Sequence, residues 1–313
     1  MAEESKILII GGTGYMGKHL VEASVRLGHP TFALVRERTL ASDPEKAKLI
    51  EAFRNSGVVL LYGDLYDQER LVEAIKKVDV VISALGHESP KKLADQVNII
   101  SAIKQAGTIK RFFPSEFGLD VGRIELMEPA KTQLGVKAQI REAIKEAGIP
   151  YTIVSSNLGG AYYFLRRIGQ IEPMEPPTDK ILVLGDGNSK VIFVGEEDVA
   201  TYTIKAADDP RTLNKILYIR PPANIYSHNQ LISLWERKSG KTFERIHVSE
   251  EEIFRKIQES PPPLNFGYAI AHAAFVKGET TNFEIDPLIG VEASELCPDV
   301  KYTTVDEFVD RYI

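Results

Sequence analysis

Three glycines near the start of the chain have the spacing that a dinucleotide phosphate site requires. Gly11, Gly14 and Gly17 follow a short apolar run (residues 6–10) and lead straight into an amphipathic stretch. In such a unit one glycine allows the tight turn, the next lets the backbone approach the pyrophosphate, and the third lets the helix pack close to the strand. The helix N-terminus then presents free N–H groups to the phosphates. The predicted cofactor-binding residues of this glycine loop are Gly11, Gly12, Thr13, Gly14, Tyr15, Met16 and Gly17.

The end of the second predicted strand indicates which dinucleotide binds. An acidic residue there binds the ribose 2′-hydroxyl of NAD, whereas an arginine accommodates a 2′-phosphate. Arg36 follows the strand, 19 residues beyond Gly17. Its guanidinium can bind a phosphate through two parallel hydrogen bonds, and Lys46 adds a second positive charge nearby. Glu37 comes one residue too late to take the same role, so the sequence predicts NADPH.

A lysine in the middle of the chain is the candidate for proton chemistry. Many short-chain reductases carry a Tyr-x-x-x-Lys pair on a helix, but none of the 12 tyrosines has a lysine four residues later. Lys137 has Gln133 at that position, which cannot act as an acid. We expect Lys137 near the N-terminal end of a helix over residues 135–147, where the helix dipole and burial both lower the pKa of the amine. A general base and an ordinary solvated lysine both fit the residues alone.

The first 150 residues alternate between short apolar runs and longer amphipathic segments, which is typical of βαβ units. Strands are predicted at residues 6–10, 31–35, 58–62, 78–83, 111–114 and 151–155. Helices are predicted at residues 17–27, 45–55, 68–76, 94–106 and 135–147, with Gly28, Gly57, Gly107 and Gly148 just past four of their ends. The pattern predicts an α/β fold, a Rossmann doubly wound parallel sheet.

The regular alternation of apolar runs and amphipathic segments ends near residue 157, and beyond it prolines cluster at residues 173–177, 221–222 and 261–263. Helices are still predicted at residues 198–207, 229–238 and 250–259. Loops that contain several prolines are more typical of segments that line a substrate site than of another layer of a doubly wound fold. We therefore predict an NADP-binding domain over residues 1–157. Residues 158–313 are predicted to form mainly a smaller substrate-binding lobe. This prediction allows some of these segments to pack with the NADP-binding domain.

Composition excludes several classes of function. The net charge of −6 and the lack of a basic block argue against a nucleic-acid or membrane surface. No apolar run approaches the roughly 18–20 residues of a membrane span, and the acidic N-terminus does not read as a signal peptide. Cys297 is the only cysteine, and the six histidines do not show the H-x-x-x-H spacing, so no metal site is predicted. We expect a cytoplasmic protein.

Several segments of the chain resemble the plant isoflavone reductase-like proteins, an NmrA-like group of atypical short-chain dehydrogenases. The matching segments are residues 11–17, 111–118, 184–188, 208–215, 291–296 and 301–306. In that family the catalytic lysine lies in the helix after a P-S-E-F-G motif, which here is residues 114–118, and Lys137 is the matching position. The resemblance places the cofactor on the glycine loop, Arg36 and Lys46.

Within this family the chain is most similar to the phenylcoumaran benzylic ether reductases, through residues 112–113, 128–131, 275–278 and 281–285. The resemblance implies an enzyme of lignan and phenylpropanoid metabolism. Lys137 would remove a phenolic proton, electrons would expel the benzylic ether oxygen, and a quinone methide would accept hydride from NADPH. It also implies substrate contacts from Tyr162, Tyr163, Phe164 and His272, although large aromatic residues are more often simply core. Residues 86–92 and 158–164 depart from the family pattern.

Other functions remain open at this point. A eugenol or isoeugenol synthase would displace acetate from a coniferyl ester through the same type of intermediate. A pinoresinol–lariciresinol reductase or an isoflavone reductase would use the same cofactor. A non-enzymatic NADP(H)-binding redox sensor would need no base at Lys137. The expected partners are a small phenylpropanoid and a second copy of the chain in a homodimer.

Overall fold

The computed structural model describes residues 4–86, 89–172 and 175–313, and of residues 40 and 41 it describes only the backbone. The strands are β1 (Ile7–Ile10), β2 (Thr31–Val35), β3 (Val59–Tyr62), β4 (Val80–Ser83), β5 (Arg111–Phe113), β6 (Thr152–Ser155), β7 (Lys180–Leu184), β8 (Lys190–Ile192), β9 (Lys215–Tyr218), β10 (Ile225–Ser227), β11 (Glu244–Val248) and β12 (Gly290–Glu292). The helices of the first half are α1 (Tyr15–Arg26), α2 (Glu37–Ser42), α3 (Pro44–Asn55), α4 (Gln68–Ile75), α5 (Pro90–Ala94), α6 (Gln96–Ala106) and α7 (Ala130–Glu146). Those of the second half are α8 (Ala161–Arg166), α9 (Glu196–Lys205), α10 (His228–Ser239), α11 (Glu250–Glu259), α12 (Leu264–Ala271), α13 (Ala293–Leu296) and α14 (Val305–Asp310).

A parallel sheet in the order β3-β2-β1-β4-β5 forms the centre of the molecule. Its middle strands β1 and β4 are buried at every position because helices cover both faces, which explains their unbroken apolar sequence. β6 continues the sheet beside β5, where the Phe112 N–H donates to the Pro150 carbonyl at 2.8 Å. The predicted Rossmann-type α/β fold is confirmed.

Two hydrophobic layers sandwich this sheet. On one face α1, α3 and α9 bury residues such as Leu20, Phe53 and Ile204 against it. On the other face α4, α6 and α7 contribute Ile75, Ile103 and others. Since successive strands enter the sheet through these helices, their carboxyl ends all meet at one edge, here called the carboxyl edge.

Segments from the second half of the chain belong to both parts of the molecule. β9 and β12 extend the central sheet in the order β12-β9-β6, all parallel, and α9 packs on α1. The pairs β7–β11 and β8–β10, with α10, α11, α12 and α14, surround a separate core. The division at residue 157 stays a prediction. None of the described helices is long and apolar enough to cross a bilayer.

Candidate active site

The glycine loop packs so tightly against its surroundings that larger residues do not fit. Gly11 has φ +85°, and a Cβ built there would lie 2.6 Å from the carbonyl oxygen of Ala84. A Cβ on Gly17 would lie 2.1 Å from the carbonyl oxygen of Gly11, so α1 and the end of β1 are in backbone contact. The Gly14 N–H donates to that same oxygen at 2.9 Å, which closes the turn. These are the three roles that a dinucleotide loop assigns to its glycines.

The N-terminus of α1 has the features of an anion site. Gly14 is the N-cap, no side chain caps the helix, and its first turn carries no acidic residue. The N–H groups of that turn therefore face a ligand or solvent, with the positive end of the helix dipole behind them. Gly12 is buried, Thr13 is half-buried at the cradle, and Met16 packs into the core. The cradle fits a pyrophosphate.

Tyr15 stands at the exposed side of the loop, with 59% of its surface accessible. Its hydroxyl donates a hydrogen bond to the Glu196 carboxylate at the start of α9. Glu196 is itself buried, and its second carboxylate oxygen has no partner among the described residues. The contact fastens the glycine loop to α9.

The two predicted phosphate-binding cations differ in their surroundings. Arg36 is exposed directly after β2, and no carboxylate of residues 4–86, 89–172 or 175–313 forms an ion pair with it. Lys46, in the first turn of α3, pairs with Asp43 at 3.0 Å. A ligand phosphate would therefore meet an available guanidinium at Arg36 but would share Lys46 with Asp43.

Lys137 lies on the inner face of α7 with 5% of its surface exposed. The buried positions of this helix are Ala130, Leu134, Lys137, Ile140 and Ile144, which form one stripe at helical spacing. The Lys137 Nζ donates to the backbone carbonyl of Glu116 at 2.7 Å. Burial lowers the pKa of this amine, opposed by the Glu116 and Asp120 carboxylates and assisted by Arg141.

The expected effect of the helix dipole on Lys137 is wrong. The helix begins at Ala130 instead of residue 135, so Lys137 is the eighth of its 17 residues. The dipole acts mainly within the first and last turns. Desolvation is therefore the main physical cause of the lowered pKa, with a smaller contribution from Arg141.

The carboxyl edge of the sheet brings Lys137 towards the glycine loop. The loop after β1 touches Ala84, which follows β4, and the next carbonyl, that of Leu85, accepts from the Ser115 hydroxyl at 2.7 Å. Ser115 precedes Glu116, which holds the lysine. β1 and β5 are two strands apart, or about 10 Å. A ligand lying across this edge can reach both the cradle and the amine.

A charge network of Arg141, Glu116 and Asp120 lies one helical turn from Lys137, and sequence reasoning missed it. Arg141 Nε and Nη2 donate to the two Glu116 carboxylate oxygens at 2.8 and 3.0 Å, and Nη1 donates to Asp120 at 2.7 Å. The Tyr218 hydroxyl donates to the other Asp120 oxygen at 2.6 Å. Burial alone would raise the pKa of Asp120, but Arg141 and Tyr218 bring it below its ordinary value. The available signal was the spacing of Lys137 and Arg141, which are four residues apart and therefore neighbours on one side of the helix.

The four predicted substrate residues have different environments. Tyr163 is 39% exposed and lies under the Arg167 guanidinium, 3.7 Å from the ring centroid. Tyr162 stacks on Phe308 with ring centroids 4.7 Å apart. The other two are buried: Phe164 packs beside Phe275, and the His272 Nε2 lies 2.8 Å from the Glu250 carboxylate. Tyr163 thus presents the most aromatic surface to a ligand. Residues 87 and 88 of the unusual 86–92 segment lie outside the described residues.

Two other features lie away from this edge. A surface groove of about 750 Å³ is bounded by β8, β10 and α10, and none of the predicted site residues lines it. Glu4, His29 and Asp208 place potential metal ligands together. The His29 ring, however, contacts the Ser5 carbonyl at 3.0 Å, and Ser5 donates to both Asp208 oxygens.

Comparison with known proteins gives consistent matches over the whole chain. A family model described as the NmrA-like family matches residues 3–309. An isoflavone reductase-like protein of Olea europaea is 61% identical over 313 residues, covering all of both chains. Eugenol synthase 1 of Petunia hybrida and phenylcoumaran benzylic ether reductase Betv6 of Betula pendula are each 60% identical, again over all of both chains.

Solved structures match equally completely. A reductase solved with NADP⁺ and (+)-pinoresinol has a TM-score of 0.94 at 37% identity, covering all of both chains. The leucoanthocyanidin reductase of Vitis vinifera, solved with NADPH, has a TM-score of 0.89 at 35% identity, covering 98% of this chain and 99% of that one.

Proposed function

Because the chain belongs to the NmrA-like family, as an NADPH-dependent reductase within it, we propose that it reduces phenolic phenylpropanoids at a benzylic carbon. Its preferred substrate is the benzylic ether of a phenylcoumaran. One observation carries this proposal: a buried lysine amine, held by a backbone carbonyl, lies on the same edge of the sheet as the dinucleotide cradle.

The residues that would hold NADPH are those of the glycine loop, with Arg36 at the 2′-phosphate and Lys46 as a weaker second cation. When bound, NADPH supplies the hydride that reduces the benzylic carbon. The protein's own task is to orient the ring of the substrate and to manage its phenolic proton.

The burial and the hydrogen bond of Lys137 both support its role in that task. Its lowered pKa increases the fraction of neutral amine near neutral pH, as a general base requires. One N–H donates to the Glu116 carbonyl, which leaves the nitrogen lone pair for the phenolic proton. Loss of that proton lets the ring electrons expel the benzylic ether oxygen, which leaves as a phenoxide and takes up a proton from solvent. The quinone methide that forms is reduced at its benzylic carbon, and the phenolate takes its proton back from Lys137.

A eugenol synthase reaction is the second candidate, because the Petunia hybrida enzyme is as similar to this chain as the benzylic ether reductase of Betula pendula. There the leaving group is acetate, and the demands on Lys137 are the same. Reduction of a pinoresinol or an isoflavone would also use this base. A redox sensor without turnover would not need a lysine on a buried stripe.

A substrate panel tests the proposal. Purified protein and NADPH are incubated separately with dehydrodiconiferyl alcohol, coniferyl acetate, pinoresinol and a 2′-hydroxyisoflavone, and products are followed by chromatography. We expect the ring-opened phenylcoumaran product with the highest kcat/KM. If coniferyl acetate instead gives a propenyl- or allylphenol with a higher kcat/KM, the eugenol synthase reaction replaces benzylic ether reduction as the function.

A methylated substrate provides the matched control. The para-O-methyl ether of dehydrodiconiferyl alcohol keeps the shape of the substrate but has no phenolic proton to give to Lys137. We expect no reduction of this compound. Reduction at the normal rate would show that proton removal is not part of the reaction.

A further inference from the structure

We infer that Arg141 is a positioning residue for Lys137, acting through the peptide of Glu116 and the carboxylate of Asp120. This inference rests on the proposed function only where it concerns turnover. The placement of the amine and its charge can be measured without any substrate.

The geometry of the charge network supports this role. Arg141 uses both edges of its guanidinium, one for the two oxygens of Glu116 and one for Asp120. The side chains are 11%, 2% and 4% exposed for Arg141, Glu116 and Asp120, respectively. A buried, bidentate arginine–carboxylate pair holds its partners in a fixed orientation.

The carbonyl that binds Lys137 belongs to the residue that Arg141 clamps. Glu116 is followed by Phe117, which has φ +45°, an uncommon conformation for a residue other than glycine. The Phe117 N–H donates to the Val154 carbonyl at 3.0 Å. The Glu116–Phe117 peptide is therefore held by β6 through the Phe117 N–H and by Arg141 through the Glu116 side chain, and in this arrangement its carbonyl accepts from Lys137.

The network also sets the electrostatic environment of the amine. Three charged side chains act on Lys137: Glu116 and Asp120 from the loop after β5, and Arg141 from α7 itself. The other helices that pack on α7 add little, since the lysines of α5 and α6 (Lys91, Lys92 and Lys104) are exposed and α12 carries no charged residue. The two carboxylates favour the protonated amine, and Arg141 favours the neutral one.

Two substitutions should therefore move the titration of Lys137 in opposite directions. Arg141→Met removes a positive charge and leaves two carboxylates, so the pKa of Lys137 should rise by about 1 unit or more. Asp120→Asn removes a negative charge, so that pKa should fall. Lys145→Met is the matched control, because it removes a positive charge two turns further along α7 from a half-exposed ion pair with Glu142. It should leave the titration unchanged.

The titration is read in two ways. Lysine labelled with ¹³C at Cε reports the pKa of Lys137 by NMR, with the signal assigned by its loss in Lys137→Met. The acid limb of kcat/KM against pH, measured with the preferred phenol, should move by the same amount. Arg141→Lys keeps the charge but loses the bidentate geometry, so we expect its kcat to fall at least tenfold while the position of the limb changes little.

A purely structural role for Arg141 would produce different results. A general loss of packing cannot move the Lys137 titration up in one variant and down in another. Equal shifts in Arg141→Met and Lys145→Met, or an Asp120→Asn shift in the same direction as Arg141→Met, would overturn the inference. If Arg141→Met does not fold, Asp120→Asn and Arg141→Lys carry the test. If the Lys137 pKa moves in opposite directions in Arg141→Met and Asp120→Asn but the protein reduces no phenol, the inference is supported and the proposed function is rejected.

Discussion

Substituting Gly17 by alanine tests whether the glycine loop works as its geometry indicates. In most helix positions a change from glycine to alanine stabilises the protein by about 0.5–1 kcal/mol, because alanine loses less backbone entropy on folding. At Gly17 the new Cβ would lie 2.1 Å from the Gly11 oxygen and 2.8 Å from the Gly12 Cα. Protein Cβ atoms essentially never approach within 3.0 Å of such an atom, so α1 or the loop must move by about 0.9 Å.

This displacement determines how much stability and how much NADPH affinity we expect the variant to lose. Both contacting groups are backbone, so no side chain can relax, and overpacking of this kind destabilises by about 1–3 kcal/mol. After the gain in helix propensity, we expect a net loss of about 1–2 kcal/mol and, for a chain of this length, a fall in Tm of roughly 1.5–3 °C. The shift also moves the amides that would face the pyrophosphate. The loss of one amide–phosphate hydrogen bond corresponds to about 1.5–3 kcal/mol, or a 10- to 100-fold weaker Kd for NADPH.

The assay compares thermal unfolding and NADPH binding by calorimetry. Gly135→Ala is the control for helix propensity, because Gly135 lies inside α7 and a Cβ there would meet nothing within 4 Å. We expect this variant to melt about 1–1.5 °C above the unsubstituted protein. If Gly17→Ala also melts higher and binds NADPH within threefold of normal, the close-approach reasoning is refuted.

The remaining predictions concern the base, the cofactor preference and the pH dependence of stability. Lys137→Met should reduce kcat by about 100- to 10,000-fold while NADPH still binds, which single-turnover kinetics and calorimetry would check. Arg36→Ala should weaken NADPH binding about 10-fold or more and leave NADH binding unchanged. Lys46→Ala should weaken NADPH binding less, because Lys46 already pairs with Asp43. The Kd for NADPH divided by the Kd for NADH, measured for each variant, checks both expectations. Burial raises the pKa of Asp198 to about 6, so the free energy of unfolding should decrease as the pH rises from about 4 to 6. Asp198→Asn should therefore stabilise the protein by up to about 3 kcal/mol at pH 8 but not at pH 4, measured by urea unfolding.

The sequence was sufficient to predict the framework of the central sheet. Strand β2 (Thr31–Val35) matches its predicted bounds, and the other strands of the first half differ by one or two residues at an end. Outside this sheet, helix α11 (Glu250–Glu259) also matches its predicted bounds. Glycines with positive φ follow four helices where they were predicted, Gly28, Gly57, Gly107 and Gly148. These features are local, because a period of apolar residues and a glycine cap act within a few residues of the chain.

The start of α7 and the environment of Lys137 could not be predicted in the same way. The N-cap of α7 is Pro129, which has no side chain that could accept a hydrogen bond, and the Thr132 N–H donates instead to the Glu128 carboxylate at 3.2 Å. The contacts of Arg141 depend on residues 21 and 25 positions earlier in the chain, which only the sheet topology brings together. The roles of the predicted site residues, the homodimer and the cytoplasmic location stay predictions.

Because Lys137 lies on the buried stripe of α7, the same burial affects both the pKa of its amine and the stability of the fold. An apolar residue at this position would pack without desolvating an amine, so the lysine reduces the stability of the fold for as long as it carries its proton. Since its pKa is lowered in the folded state, the unfolded chain binds more protons and stability increases as the pH rises towards the ordinary lysine range. Glu116 and Asp120 reduce this desolvation penalty but favour the protonated amine, which opposes its use as a base. Arg141 neutralises part of that negative charge, and it therefore allows the site to keep two buried carboxylates beside a lysine that the proposed reaction requires in its neutral form.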